Sequence, residues 1–102
     1  MAIDFERAGD TITIRIQGEF GHEYRNDFQK IFTSQEGDPH GHHYRIDFKE
    51  IKYISSAGAG LLIRLRDYCG GEKANISLIN VNDRTLKLLR ILNFDKIFQI
   101  TQ

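Results

Sequence analysis

Apolar and polar residues alternate through the first seventeen positions of the chain. Ile3 and Phe5 precede the pair Gly9-Asp10, and the alternation resumes over residues 11–17, where every second residue is isoleucine. A period of two on both sides of a Gly-Asp pair is typical of two strands joined by a tight turn. These residues therefore predict a β-hairpin.

Three later segments show the spacing of amphipathic helices. The first is ended by a polar loop over residues 34–41, which holds the only proline. The second follows a pair of serines and is ended by Gly70-Gly71, and the third is capped by Asn82 and ended by a left-handed Asn93. The three apolar stripes are Tyr24, Phe28, Ile31 and Phe32; Leu61, Leu62, Leu65, Tyr68 and Cys69; and Leu86, Leu88, Leu89 and Leu92.

Further apolar runs predict three more strands. The first is residues 44–48, which alternate again, and after a short turn residues 51–54 are interpreted as the connection into the serine pair. Residues 76–81 predict another buried strand, and Ile97, Phe98 and Ile100 predict a last short one. The order β-β-α-β-α-β-α-β favours an α/β fold with a mixed sheet of about five strands and helices mainly on one face. We expect residues 1–102 to form a single domain.

Charge and composition narrow the classes of function. Fourteen basic residues balance fourteen acidic ones, with a sequence pI of about 6.9, so no surplus of positive charge favours binding to nucleic acid or an anionic membrane. No signal peptide or membrane-spanning run is visible, which predicts a cytoplasmic protein without membrane insertion. The lone Cys69 is expected in the core of a protein from a reducing compartment.

The segment Ser55-Ser56-Ala57-Gly58-Ala59-Gly60 is the strongest candidate site. A serine before a helix can cap its first turn, and the same backbone N–H groups can bind a phosphate. Glycine early in a helix costs about 1 kcal/mol relative to alanine, so Gly58 and Gly60 suggest a close backbone approach or a large partner. A cap, a phosphate cradle and a phosphorylation switch all fit these residues.

Enzymatic and cofactor-binding motifs are incomplete. No lysine follows Gly60 as a phosphate-binding loop requires, the third glycine of a dinucleotide fingerprint is missing, and neither serine lies in a hydrolase elbow. His40, Gly41, His42 and His43 predict a solvated loop, and His22 a surface position. We therefore expect no enzyme activity, no cofactor and no metal site.

Three segments together resemble the STAS domain family, the anti-sigma factor antagonists and their relatives. Residues 47–62 resemble its strand, loop and Asp-Ser-Ser-Gly-Leu-Gly helix start. Residues 14–20 resemble its second strand with the Gly-Glu-Leu end, and residues 88–98 its last helix and strand. The segments occur in the family's order and cover essentially the whole chain.

The resemblance implies a bacterial signalling module that switches partners. Ser56 takes the place of the serine or threonine that a partner kinase phosphorylates, with Ser55 as the weaker candidate because it stands where an aspartate is usual. Gly21 replaces another acidic residue common in phosphorylatable members. Residues 55–60 would bind a serine kinase that is also an anti-sigma factor, and a cognate phosphatase would reverse the modification. A non-phosphorylated subunit docking on an ABC-transport or other signalling complex is the alternative.

The partner-binding residues implied by this resemblance are Ser55, Ser56, Ala57, Gly58, Ala59 and Gly60. Gly58 and Gly60 match the family pattern directly. Ala57 replaces its second serine, and Ala59 replaces its leucine. The sequence leaves the oligomeric state and any nucleotide binding open.

Overall fold

The computed structural model describes residues 3–33 and 41–102. They form seven strands and three α-helices, with short 3-10 turns between some of them. The strands are β1 (Ile3–Ala8), β2 (Thr11–Ile16), β3 (Gly18–Phe20), β4 (His43–Asp47), β5 (Ile51–Ile54), β6 (Asn75–Ile79) and β7 (Gln99–Ile100). The helices are α1 (Arg25–Thr33), α2 (Ser56–Tyr68) and α3 (Asp83–Ile91).

Five strands form one mixed sheet, which confirms the predicted sheet of about five strands, and their order in it is β1-β2-β4-β6-β7. The hairpin partners β1 and β2 are antiparallel, and every other neighbouring pair in this sheet is parallel. Parallel neighbours need long crossover connections, and in this chain the connections contain the three helices.

The two faces of the five-stranded sheet differ in chemistry. Ile14, Ile46 and Leu78 are paired across three neighbouring strands, and all three are fully buried. On the opposite face Arg15 is partly exposed and its guanidinium lies 2.6 Å from the Glu6 carboxylate. The helices therefore cover mainly one face, and the other face is polar.

The local signals for helix and turn ends are confirmed. The Asn82 side chain accepts a hydrogen bond of 2.8 Å from the Thr85 N–H and caps α3. Asn93 has a φ of 61° and Gly70 a φ of 107°, so both adopt the left-handed conformation that ends a helix. Gly9 also has a positive φ, of 61°, in the turn between β1 and β2.

Three details differ from the sequence prediction. Residues 51–54 form a strand, which pairs in parallel with β3 in a separate two-stranded sheet. The last strand is only Gln99–Ile100, because Phe94–Lys96 forms a 3-10 turn. Phe98 is buried, but it lies in the turn after this segment and not in a strand. Val81 is buried but lies beyond the end of β6, after Asn80 with its φ of 57°.

The predicted loop at 34–41 lies outside the described residues except for Gly41. In the two described stretches, no helix has the length and apolar character needed to cross a membrane.

Candidate functional site

The start of α2 lies against the end of β3, and Ser55 joins the two. Its backbone N–H donates to the Phe20 carbonyl oxygen at 3.0 Å, and its hydroxyl donates to the same oxygen at 3.3 Å. The hydroxyl oxygen also accepts a 3.3 Å hydrogen bond from the Gly58 N–H, so Ser55 is the N-cap of α2. The Ser55 hydroxyl is therefore engaged within the fold.

Ser56 has a different environment from its neighbour. It is the first residue of α2 and is exposed to solvent. Its hydroxyl has no hydrogen-bond partner among residues 3–33 and 41–102. Of the two adjacent serines, one caps the helix and the other presents its hydroxyl to the outside.

The two glycines of the segment serve different purposes. A Cβ on Gly58 would lie only 2.0 Å from the Phe20 carbonyl oxygen, which explains why this position needs glycine. A Cβ on Gly60 would meet no described atom within 4 Å. The predicted close backbone approach is confirmed for Gly58, and at Gly60 the fold itself supplies no such reason.

Gly21 and Ser55, which stand where the resembled family usually carries acidic residues, are neighbours in space. A Cβ on Gly21 would lie 2.9 Å from the Ser55 hydroxyl oxygen and 3.5 Å from Oε1 of Glu19. A hydrogen bond to Glu19 raises the pKa of Tyr53, which is half exposed on β5 beside this site. Glu19 is thus a carboxylate close to the pair, although neither Gly21 nor Ser55 carries one.

Two clefts flank the outer surface of α2 and meet at Gly60. The first, of about 370 Å³, is an apolar groove between α2 and α3 that Ser55 and Ser56 border. The second, of about 320 Å³, lies on the α1 side and is lined by His22, Arg25 and Arg64 as well as by Ala57 and Leu61. We call them the apolar groove and the basic cleft.

Helix α3 contributes to this surface in a way that the sequence did not predict. Leu88 and Leu92 were assigned to its buried stripe, yet they are 37% and 42% exposed and line the apolar groove. Ile91 is 76% exposed on the same helix. The sequence signal for this exposed surface was Ile91, an apolar residue outside the predicted stripe that lies between Leu89 and Leu92.

The histidine segment differs from its prediction. His42 is buried, and its Nε2 lies 3.2 Å from the Arg7 guanidinium, while His43 is the first residue of β4 and contacts the Ser77 hydroxyl at 2.8 Å. His43 is therefore part of the sheet, and His42, directly before β4, is buried rather than solvated, whereas His40 lies outside the described residues. In the described parts of the chain, no three His, Cys, Asp or Glu side chains are grouped to hold a metal ion.

The other predicted positions agree with the structure. His22 is exposed, as expected, and Cys69 is buried in the core. Burial raises the pKa of the Cys69 thiol to about 11, so it stays protonated and weakly nucleophilic near neutral pH.

Comparison with known sequences identifies relatives along the whole described fold. The sequence model of the family described as "Mlab, STAS domain" matches residues 3–101. A STAS-domain containing protein of Pseudomonas aeruginosa is 37% identical over 93 residues, which are 91% of this chain and 90% of that protein.

Solved structures share the fold at lower identity. The anti-sigma factor antagonist SpoIIAA in its unphosphorylated form has a TM-score of 0.74 at 19% identity, over 99% of this chain and 88% of the other. The phosphorylated form of SpoIIAA from Bacillus has a TM-score of 0.68 at 16% identity, over 99% and 92%.

Proposed function

This chain belongs to the STAS domain family, and we propose that it is a regulatory protein-interaction module that changes partners when Ser56 is phosphorylated. The proposed kinase is a partner protein that also serves as an anti-sigma factor, and a cognate phosphatase restores the unmodified state. The module itself catalyses no reaction in this scheme, and it works in the bacterial cytoplasm.

The contrast between the two serines carries the proposal. The Ser55 hydroxyl makes two hydrogen bonds within the fold, so modifying it would remove the cap of α2. The Ser56 hydroxyl is exposed at the first position of the same helix, so a kinase can reach it without unfolding the domain.

A phosphate on Ser56 would alter the surface without altering the fold. It would add about −1.5 to −2 charges and three acceptor oxygens, next to a helix N-terminus that favours negative charge. A partner packed over Ser56 would have to desolvate this group, and each 1.4 kcal/mol of lost interaction weakens binding about tenfold. A modest penalty is enough to release the partner.

Purification from the native cell with three variants tests the proposal. Ser56→Ala should retain the partner, Ser56→Asp should lose it, and Arg45→Asp, at an exposed position on β4 away from α2, provides an acidic control. Phosphosite mapping of the wild-type chain should find the phosphate on Ser56. Equal recovery of the partner by Ser56→Ala and Ser56→Asp would contradict the switch.

A second candidate is a non-phosphorylated STAS subunit that docks on an ABC-transport or other signalling complex. Its support is the absence of a carboxylate side chain at Gly21 and Ser55, the adjacent positions where phosphorylatable family members carry acidic residues. This function predicts that an ATPase subunit co-purifies with the chain and that Ser56 is unmodified in every growth state. Detection of phosphorylated Ser56 would exclude it.

A further inference from the structure

The surface between α2 and α3 has an exposed apolar strip that the fold leaves uncovered. Leu88, Ile91 and Leu92 are 37%, 76% and 42% exposed, and they fall on one side of α3 at helical spacings of three and four. Leu88 and Leu92 line the apolar groove opposite Ile63 of α2. Exposed apolar residues that adjoin a groove are typical of a protein interaction site.

Positive charge borders this groove, although the whole chain is neutral. Arg84 and Lys87 are exposed one turn before Leu88 and Ile91 on the same side of α3. Arg84 lines a shallow cleft with Tyr53 and Leu88 that continues the apolar groove. No carboxylate side chain lines this cleft, the apolar groove or the basic cleft.

Gly60 lies at the boundary between the apolar groove and the basic cleft. It lines both, it is exposed, and a Cβ there would meet no described atom within 4 Å. Glycine inside a helix costs about 1 kcal/mol relative to alanine, and Gly60 has no close contact within the described chain that requires it. A partner segment that crosses α2 at this position would occupy the space that a larger side chain would fill.

We infer that the apolar groove binds an acidic amphipathic segment of the partner, which places apolar residues against Leu88 and Leu92 and crosses α2 at Gly60. Its carboxylates face Arg84 and Lys87 on one side and Arg25 and Arg64 on the other. This assignment rests on the proposed function, since the partner is the one that Ser56 controls. It also predicts that phosphorylation of Ser56 weakens binding of the partner, because a phosphate on Ser56 repels an acidic segment.

Photo-crosslinking in the native cell identifies the segment directly. The photoreactive residue p-benzoylphenylalanine is introduced into the full chain at Ile91, and in a matched control at Arg45, which is exposed on β4. The Ile91 variant should crosslink to a partner peptide with apolar residues three and four apart and more Asp and Glu than Lys and Arg. A basic peptide, a second copy of this chain or no crosslink at Ile91 would overturn the inference, as would the same peptide at Arg45.

A synthetic peptide of the crosslinked segment then separates this inference from the proposed function. In fluorescence anisotropy, the Arg84→Glu and Lys87→Glu double variant should bind it about tenfold more weakly, because two exposed attractive pairs become repulsive. Gly60→Leu should weaken binding at least tenfold while the chain stays folded by circular dichroism. Unchanged affinity in both variants would overturn the binding of an acidic segment in the apolar groove. If both weaken binding but Ser56→Asp does not, the groove stands and the Ser56 switch fails.

Discussion

Replacing Gly58 by alanine should destabilise the fold, whereas the same replacement at Gly60 should stabilise it. Both glycines lie in the first two turns of α2, so the two variants share their helix, their added methyl group and their gain in helix propensity. They differ in what the new Cβ meets. At Gly58 it meets the Phe20 carbonyl oxygen at 2.0 Å, and at Gly60 it meets nothing described within 4 Å.

The size of the effect at Gly58 follows from what must move. A carbon and a carbonyl oxygen normally approach to about 3.4 Å, so α2 and β3 must separate by roughly 1.4 Å at this point. That movement pulls the Phe20 oxygen away from the Ser55 N–H, which it now accepts at 3.0 Å. Overpacking costs about 1–3 kcal/mol and a weakened hydrogen bond about 1 kcal/mol, against a gain of about 1 kcal/mol in helix propensity.

Urea unfolding followed by circular dichroism measures both variants on one scale. We expect Gly58→Ala to lower the free energy of unfolding by about 1–3 kcal/mol and Gly60→Ala to raise it by about 0.5–1 kcal/mol, with similar slopes against urea. A Gly58→Ala protein as stable as Gly60→Ala would refute the close approach of α2 to β3.

The remaining predictions concern the caps and the sheet. Ser55→Ala should lower the thermal midpoint, since it removes the cap of α2 at a cost of about 1 kcal/mol, which corresponds to about 4–8 °C for a domain of this size. Asn82→Ala should have a similar effect, through the 2.8 Å cap of α3, and an unchanged midpoint in either variant would contradict the cap it removes. Burial and the nearby Arg45 lower the pKa of His43, so the unfolded chain binds more protons below about pH 6.5 and stability should fall as the pH drops from 7 towards 5. His43→Gln should make that fall less steep in urea unfolding at several pH values, and an equal slope would exclude this role of His43.

The sequence correctly predicted the structural features that depend on a few neighbouring residues, which are helix caps, helix ends and a hairpin. The caps at Asn82 and the left-handed ends at Gly70 and Asn93 depend on one residue and its immediate neighbours, and each is confirmed. The hairpin of β1 and β2 likewise follows from alternation around Gly9. Side-chain and backbone chemistry at single positions is sufficient in these cases.

The missed elements depend on distant partners. Strand β5 is four residues long without strict alternation, and it exists because β3, more than thirty positions earlier, supplies its hydrogen bonds. Phe98 is apolar and buried like a strand residue, but it reaches the core from a turn. The apolar pattern of one sequence indicates that a residue is buried, but it does not indicate whether a strand or a turn places that residue in the core.

The same limit applies to the candidate site. The serine and glycine segment was identifiable from its residue types, but only the hydrogen bonds of the Ser55 hydroxyl with Gly58 and Phe20 show which of the two serines caps the helix. The helical pattern of α3 places Leu88 and Leu92 on its apolar side. The pattern does not indicate that part of this side is exposed to solvent. The docking surface therefore becomes visible only when α2 and α3 are placed together.

The central claim is that a phosphate on Ser56 lowers the affinity for the partner. The direct measurement is a titration of the purified partner with the full chain carrying genetically encoded phosphoserine at position 56, compared with the unmodified chain and with a control that carries phosphoserine at the exposed position 45 on β4. We predict binding at least tenfold weaker for the Ser56 phosphoprotein, with its circular dichroism spectrum unchanged. Equal dissociation constants for the modified and unmodified chains would contradict the claim.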